Sequence, residues 1–198
     1  YGTDYEWTEL LMKEDKNRNM FDGLSIHYYT VVGGWSYKGP ATGFGEDDWF
    51  ETFRLNMEMD EIIKQTKAIM DRYDPRKRKG LIIDEWGNWF NVEPGTKPGF
   101  LYQQNSMRDA ISTAINLNIF NKHADRVVMA NIAQTINVLQ SLILTSGDKM
   151  ILTPTYHVFR MFKVHQGARL IPADLMTEDY SRDGKSIPAL TASASVDE

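Results

Sequence analysis

Three compact apolar runs punctuate the chain: Leu24-Ser25-Ile26, Leu81-Ile82-Ile83 and Val127-Val128-Met129. The first two are entered from Asp22-Gly23 and Lys79-Gly80, and each run predicts a short buried strand. Between them the apolar positions fall three or four apart. Over 48–73, Leu55, Met59, Ile62, Ile63, Ile69, Met70 and Tyr73 form one stripe of an amphipathic helix that stops at Asp74-Pro75. A second helix is predicted over 102–120, with Met107, Ala110, Ile111, Ala114 and Ile115 inward, and a third over 136–144, ending near Gly147. Near the start, 5–16 also reads as helix, with Trp7, Leu10 and Leu11 apolar. Helices alternating with fully apolar strands predict an α/β fold, a parallel sheet covered by helices. Beyond Leu152 the pattern changes: Thr153-Pro154 breaks it, and Gly167, Pro172, Gly184 and Pro188 punctuate a stretch without a long helix. That stretch is expected to open a second, β-rich unit. Three βα units cannot close an eight-stranded barrel, and both ends read as cut, so a piece of a larger fold is expected.

Composition narrows the classes. With 198 residues, 42% apolar and 25% charged, the chain has material for a packed core. It contains no apolar run long enough to span a membrane, and Tyr1-Gly2-Thr3-Asp4 lacks the basic and apolar segments of a signal peptide. A net charge of −5 and one short basic run, Arg76-Lys77-Arg78-Lys79, argue against nucleic acid. That run reads as a solvated turn on the face away from the site. Zero cysteines remove disulfides and thiolate metal sites, and the four histidines show no His-x-His or His-x-x-x-His spacing, so no metal is expected.

In parallel α/β folds, functional residues gather past the C-terminal ends of the strands. Those places hold His27-Tyr28-Tyr29, Asp84-Glu85-Trp86-Gly87-Asn88-Trp89 and Ala130-Asn131-Ile132-Ala133-Gln134. Carboxylates beside aromatic rings suit sugar cleavage: rings stack on the apolar face of a sugar while carboxylates move protons or attack the anomeric carbon.

The segments Asp22-Gly23-Leu24-Ser25-Ile26-His27-Tyr28-Tyr29, Ile83-Asp84-Glu85-Trp86, Asn131-Ile132-Ala133-Gln134-Thr135-Ile136-Asn137-Val138 and Thr153-Pro154-Thr155-Tyr156-His157-Val158-Phe159 resemble α-L-arabinofuranosidases of glycoside hydrolase family 51, in the right order along essentially the whole chain. The resemblance implies the second half of a TIM (β/α)8 barrel, from about helix 5 to helix 8, over 1–150. Over 151–198 it implies a linker and the beginning of a C-terminal jelly-roll-like β-sandwich domain. It implies a retaining exo-acting enzyme that removes terminal arabinofuranosyl units from arabinan or arabinoxylan oligosaccharides without a cofactor. Glu85 resembles the nucleophile, His27 a histidine beside it, Tyr29 a tyrosine hydrogen-bonded near it, Gln134 a sugar-hydroxyl ligand and Trp89 an aromatic wall. Gly87 stands where the family often has Asn. The family's acid/base glutamate, in an Asn-Glu pair, has no counterpart here, because Glu6 and Glu9 sit in a helical stretch. The resemblance therefore implies a partner: the remaining N-terminal half of the barrel, in the same gene or a companion fragment. It also implies a homo-oligomer, such as a hexamer, and a bacterial cytoplasmic location.

Bland readings stand beside these. A carboxylate at a strand end is more often a helix cap or ion-pair partner than a nucleophile. His27 can be a satisfied core histidine, Tyr29 a packing residue, Gln134 a helix cap, and Trp86 and Trp89 packing aromatics, Trp86 first. Asp84, next to Glu85, is expected to face the other side of its strand and support structure. His123 reads as a loop residue at a helix C-terminus, and His157 and His165 carry no assignment. The loop with Gly33-Gly34-Trp35 and Gly39-Pro40-Ala41-Thr42-Gly43 can shape access to the site or form an oligomer contact. The rival functions are another retaining glycosidase of the barrel superfamily, such as a xylosidase or endoglucanase, or a non-catalytic sugar-binding fragment.

Overall fold

A computed structural model describes residues 3–197. Tyr1 and Gly2 of the N-terminal reading and Glu198 of the C-terminal one lie outside the described residues. Three parallel strands, β1 (Gly23–Thr30), β2 (Gly80–Asn88) and β3 (Val127–Ile132), lie in the order β1-β2-β3. Helices α1 (Tyr5–Asp15), α2 (Glu46–Tyr73) and α3 (Met107–Lys122) precede and connect them, which is the predicted α/β alternation.

The helix boundaries follow from capping. Asp4 accepts the Trp7 amide at the start of α1, and Asp74-Pro75 ends α2 as read. The second predicted helix begins five residues late, at Met107. Ser106 takes extended backbone angles and forms a reciprocal capping box with Asp109, so residues 102–106 stay outside the helix.

Leu24, Ile26, Leu81, Ile83 and Trp86 project from one side of the sheet into a core with Met59, Ile63, Ile115, Ile119 and Phe120. Each such fully buried side chain contributes about 1.5–3 kcal/mol. Gly80 is required by close approach: a Cβ there would lie 2.4 Å from a methyl of Val128. Val127-Val128-Met129, expected to be a buried strand, is instead an edge. Val128 is 67% and Met129 52% exposed, because no described strand pairs with the outer side of β3.

The helix expected over 136–144 is absent. Asn137 and Leu139 have positive φ, which interrupts a right-handed helix, and the apolar run enters a hairpin instead. Strands β4 (Ile143–Ser146) and β5 (Lys149–Leu152) pair antiparallel around Gly147, whose positive φ suits a two-residue turn. The segment read as pattern-breaking, Thr153-Pro154, begins helix α4 (Pro154–Phe162): Thr153 accepts the Tyr156 amide and Pro154 occupies the first turn, where its missing N–H costs nothing. Phe159 of α4 stacks 6.1 Å from Trp86, so α4 packs against the sheet. Short antiparallel pairs follow: β6 (Arg169–Ile171) with β9 (Ala194–Val196), and β7 (Asp179–Arg182) with β8 (Lys185–Pro188). The β7–β8 pair rests on α2, with Tyr180 edge-on to Phe50 at 5.1 Å. Among the described residues no helix is long and apolar enough to cross a membrane.

Candidate functional site

Along β1, Leu24 and Ile26 face the core while Ser25, His27 and Tyr29 face the opposite side of the sheet. Tyr28 turns back toward α2, donating to the Leu55 carbonyl at 2.9 Å. On β2 the alternation is interrupted. Ile83 pairs with Ile26 and Glu85 with His27, so Asp84 is an extra residue in a bulge. The expectation that Asp84 faces away from Glu85 is thereby overturned, since the inserted residue lets both carboxylates reach the His27 side.

Tyr29 donates its hydroxyl proton to Glu85 Oε2 at 2.8 Å. His27 stands between the carboxylates, with Nδ1 3.6 Å from Glu85 and Nε2 3.5 Å from Asp84. Ser25 and Asn131 reach Asp84 at 3.2 and 3.4 Å, so all three strands contribute to one polar cluster. Burial, then the hydrogen bond to Glu85, raises the Tyr29 hydroxyl pKa well above its ordinary value, keeping it a donor. The His27 hydrogen bond, opposed by slight burial and aided by Ser25 and Asn131, lowers the pKa of Asp84. Glu85 is about half exposed, so a ligand can reach it.

An aromatic wall adjoins the cluster. Trp89 meets Tyr29 edge-on at 5.0 Å, and Trp35 meets Trp89 at 5.5 Å. Lys38 lies 5.8 Å above the Trp89 ring. Gln134 follows β3 and is not joined to Glu85, His27 or Tyr29 by a hydrogen bond. It lines a cleft of about 920 Å³ with Phe100, Tyr102 and the β4–β5 hairpin. Thus His27, Tyr29, Glu85 and Trp89 come together, and Gln134 stands apart. Asp84, Asn131 and Trp35, which the sequence places at strand ends and in the loop after β1 without singling them out as candidates, join the cluster or its aromatic edge. The bulge that recruits Asp84 leaves no mark in the hydrophobic pattern, whereas Trp35 was visible in its glycine-flanked loop.

The end of β2 is fixed from below by buried amides. Gln140 accepts the Asn88 amide at 2.7 Å and donates to Thr113 and the Asp109 carbonyl. Asn88 donates to Asp109 and Ser112, and Gln103 spans Phe90 N and Asn88 O. Burial raises the pKa of Asp109 against these hydrogen bonds. Gly87, at φ 139, has backbone angles that disfavour a side chain, and a Cβ would meet Gln140 Oε1 at 3.2 Å. Gly87→Ala is expected to cost about 1–3 kcal/mol. A denaturant melt checks this, and an unchanged midpoint would contradict it.

Other sequence readings divide. Trp86 is fully buried against Phe120 and Phe159, as a packing aromatic should be. His123 does end α3, but it is buried and bonded to Asp60 at 2.8 Å, and burial lowers its pKa. The basic run is not wholly a solvated turn: Lys79 is buried, paired with Asp15 at 2.7 Å beneath the sheet. Glu9 is held by Arg72 and Tyr73 at the C-terminal end of α2, which leads into the start of β2, the opposite end from Glu85.

The model of the α-L-arabinofuranosidase C-terminal domain matches residues 84–197. An intracellular exo-α-L-arabinofuranosidase of Bacteroides ovatus is 50% identical over 97% of this chain and 37% of its own length. The family 51 arabinofuranosidase of Xanthomonas axonopodis pv. citri superposes with a TM-score of 0.94 at 51% identity, covering 97% of this chain and 38% of that one. The α-L-arabinofuranosidase of Thermotoga maritima, in an arabinose complex, superposes with a TM-score of 0.75 at 25% identity over 98% of this chain and 39% of that one. The chain thus spans little more than a third of these relatives. An α/β layer followed by a C-terminal domain, with those matches, means that the chain belongs to the α-L-arabinofuranosidases of glycoside hydrolase family 51.

Proposed function

We propose that this chain is part of a retaining exo-α-L-arabinofuranosidase that acts inside the cell on terminal arabinofuranosyl units of arabinan or arabinoxylan oligosaccharides. In this reading β1–β3 and α1–α4 belong to the second half of a (β/α)8 barrel. The 1–150 portion then extends through α4, because Phe159 packs on Trp86. The later strands open a jelly-roll-like β-sandwich. The rest of the barrel, in the same protein or a companion, covers the exposed face of the sheet and the edge at Val128 and supplies the acid/base glutamate. Self-association, as in a hexamer, is part of the same reading.

The observation that carries the proposal is the 2.8 Å bond from Tyr29 to a half-exposed Glu85 beside the Trp89 ring. A retaining mechanism needs one carboxylate free to form a C–O bond to the anomeric carbon and a second carboxyl about 5 Å away. Glu85 attacks while the acid/base protonates the leaving oxygen, giving a glycosyl-enzyme. The acid/base, now a carboxylate, takes a proton from water, which displaces Glu85 with a second inversion. Tyr29 aims the attacking oxygen, and His27 adds a second polar contact to it. Trp89 is an aromatic wall for the sugar unit next to the reacting one, and Gln134 binds a hydroxyl once substrate bridges the gap. Proton NMR of the first-formed product, with the full-length enzyme, should show the anomer of the substrate; the opposite anomer would contradict the proposal. Tyr29→Phe should lower kcat roughly 10- to 100-fold with little change in KM. An unchanged kcat would remove Tyr29 from the mechanism.

A further inference from the structure

Arg108, two residues into α3, is fully buried, yet no carboxylate in the described residues pairs with it. Its guanidinium carbon lies 3.8 Å from the ring centre of Phe44 and 3.8 Å from that of Phe90. Nη2 donates to the Pro40 carbonyl at 2.7 Å, while Nε and Nη1 have no hydrogen-bond partner among the described residues. Burial lowers its pKa to about 10, so the group stays cationic at neutral pH. The two rings come from different rim loops: Phe44 and Pro40 from the loop after β1, Phe90 from the segment after β2. Those loops also carry Trp35 and Trp89, and Asn91 N bonds to Gly39 O at 2.9 Å beside them. A planar cation can stack on both rings while its edge holds a carbonyl, which an ammonium cannot do.

We propose that Arg108 is a positioning residue for the glycosidase site: it clamps the loop after β1 to the segment after β2, and so holds Trp35 against Trp89 as the wall that binds sugar beyond the reacting unit. This rests on the proposed glycosidase reading and names the determinant of affinity for oligosaccharide over a small aryl glycoside.

The test compares Arg108→Met and Arg108→Lys with the unaltered full-length protein. Native-state trypsin cleavage after Lys38, in the clamped loop, is expected to rise about 10-fold relative to cleavage after exposed Lys149, because only the clamped loop is released. KM for an arabino-oligosaccharide should rise about 10-fold, while kcat/KM for an aryl arabinofuranoside stays within about 2-fold. Lys should fail to restore either. Where the Arg108 variants do not fold, Phe44→Ala, at a half-buried position, should move both readouts the same way. Unchanged relative protection of Lys38 in the folded variants, equal losses on both substrates, or full rescue by Lys would each overturn the clamp. The proteolysis arm needs no turnover, so it judges the clamp even if the native protein releases no arabinose, an outcome that would count against the enzyme reading instead.

Discussion

Glu85→Ala in the full-length enzyme is expected to lower kcat on arabino-oligosaccharides by on the order of 10⁴-fold or more, the scale seen when a nucleophile is removed. Loss of activity alone would not assign the role, because Asp84 is adjacent and joined through His27 to the same cluster. The two carboxylates separate by rescue. Removing Glu85 leaves a space beside Tyr29 that a small anion such as azide can enter. Azide then attacks an activated aryl arabinofuranoside and yields the arabinofuranosyl azide of inverted configuration. Asp84→Ala leaves Glu85 in place, so azide should restore nothing. Rescue of Asp84→Ala but not of Glu85→Ala would reverse the assignment. More than about one hundredth of native activity in Glu85→Ala without added anion would end it.

The largest expected loss of stability comes from Arg126→Met. Arg126 is buried beneath the sheet, donating to Asp74 at 2.9 Å, to the Lys79 and Asp74 carbonyls, and to Asp71. Its removal strands the buried Asp74 carboxylate, at an expected cost of about 3–5 kcal/mol. The pH dependence has a definite sign. Burial pushes the Asp74 pKa up, but the Lys79 amide and then Arg126 outweigh it and hold it below the usual range. A depressed carboxylate pKa adds stability above the unfolded value, near about 3.9, and that stability is lost as pH falls through the lower folded value. Asp15, held low by Lys79 and the Met20 amide against burial, acts in the same direction. Urea melts between neutral pH and pH 3 should therefore show Arg126→Met losing less stability on acidification than the native chain, since less depression remains to be lost. Parallel acid limbs would contradict this.

Much of the architecture was legible because the relevant forces act locally. The stripe over 48–73 and the stop at Asp74-Pro75 gave α2, and the three compact apolar runs, two of them entered from glycine, located all three parallel strands. The misreadings share a cause. Over 136–144, single residues with positive φ turned an apolar run into a hairpin approach, and composition does not display φ. Thr153-Pro154 breaks the sequence pattern, yet proline at the first turn of a helix begins one. Within the site, alternation placed His27 and Tyr29 on one face correctly, but the same rule misplaced Asp84, since a bulge adds a residue that period-two counting cannot register. Gln134 reached the rim without a hydrogen bond to Glu85, because the turn after β3 carries it to the cleft beside the β4–β5 hairpin.

In the proposed mechanism Glu85 forms the bond to sugar. Its most direct test is a mechanism-based arabinofuranosyl inactivator that traps the glycosyl-enzyme in the full-length protein, followed by peptide mapping of the label by mass spectrometry. One label is expected, on the peptide holding Asp84-Glu85-Trp86 and fragmenting to Glu85. A label fragmenting to Asp84, or to a carboxylate on another peptide, would contradict it.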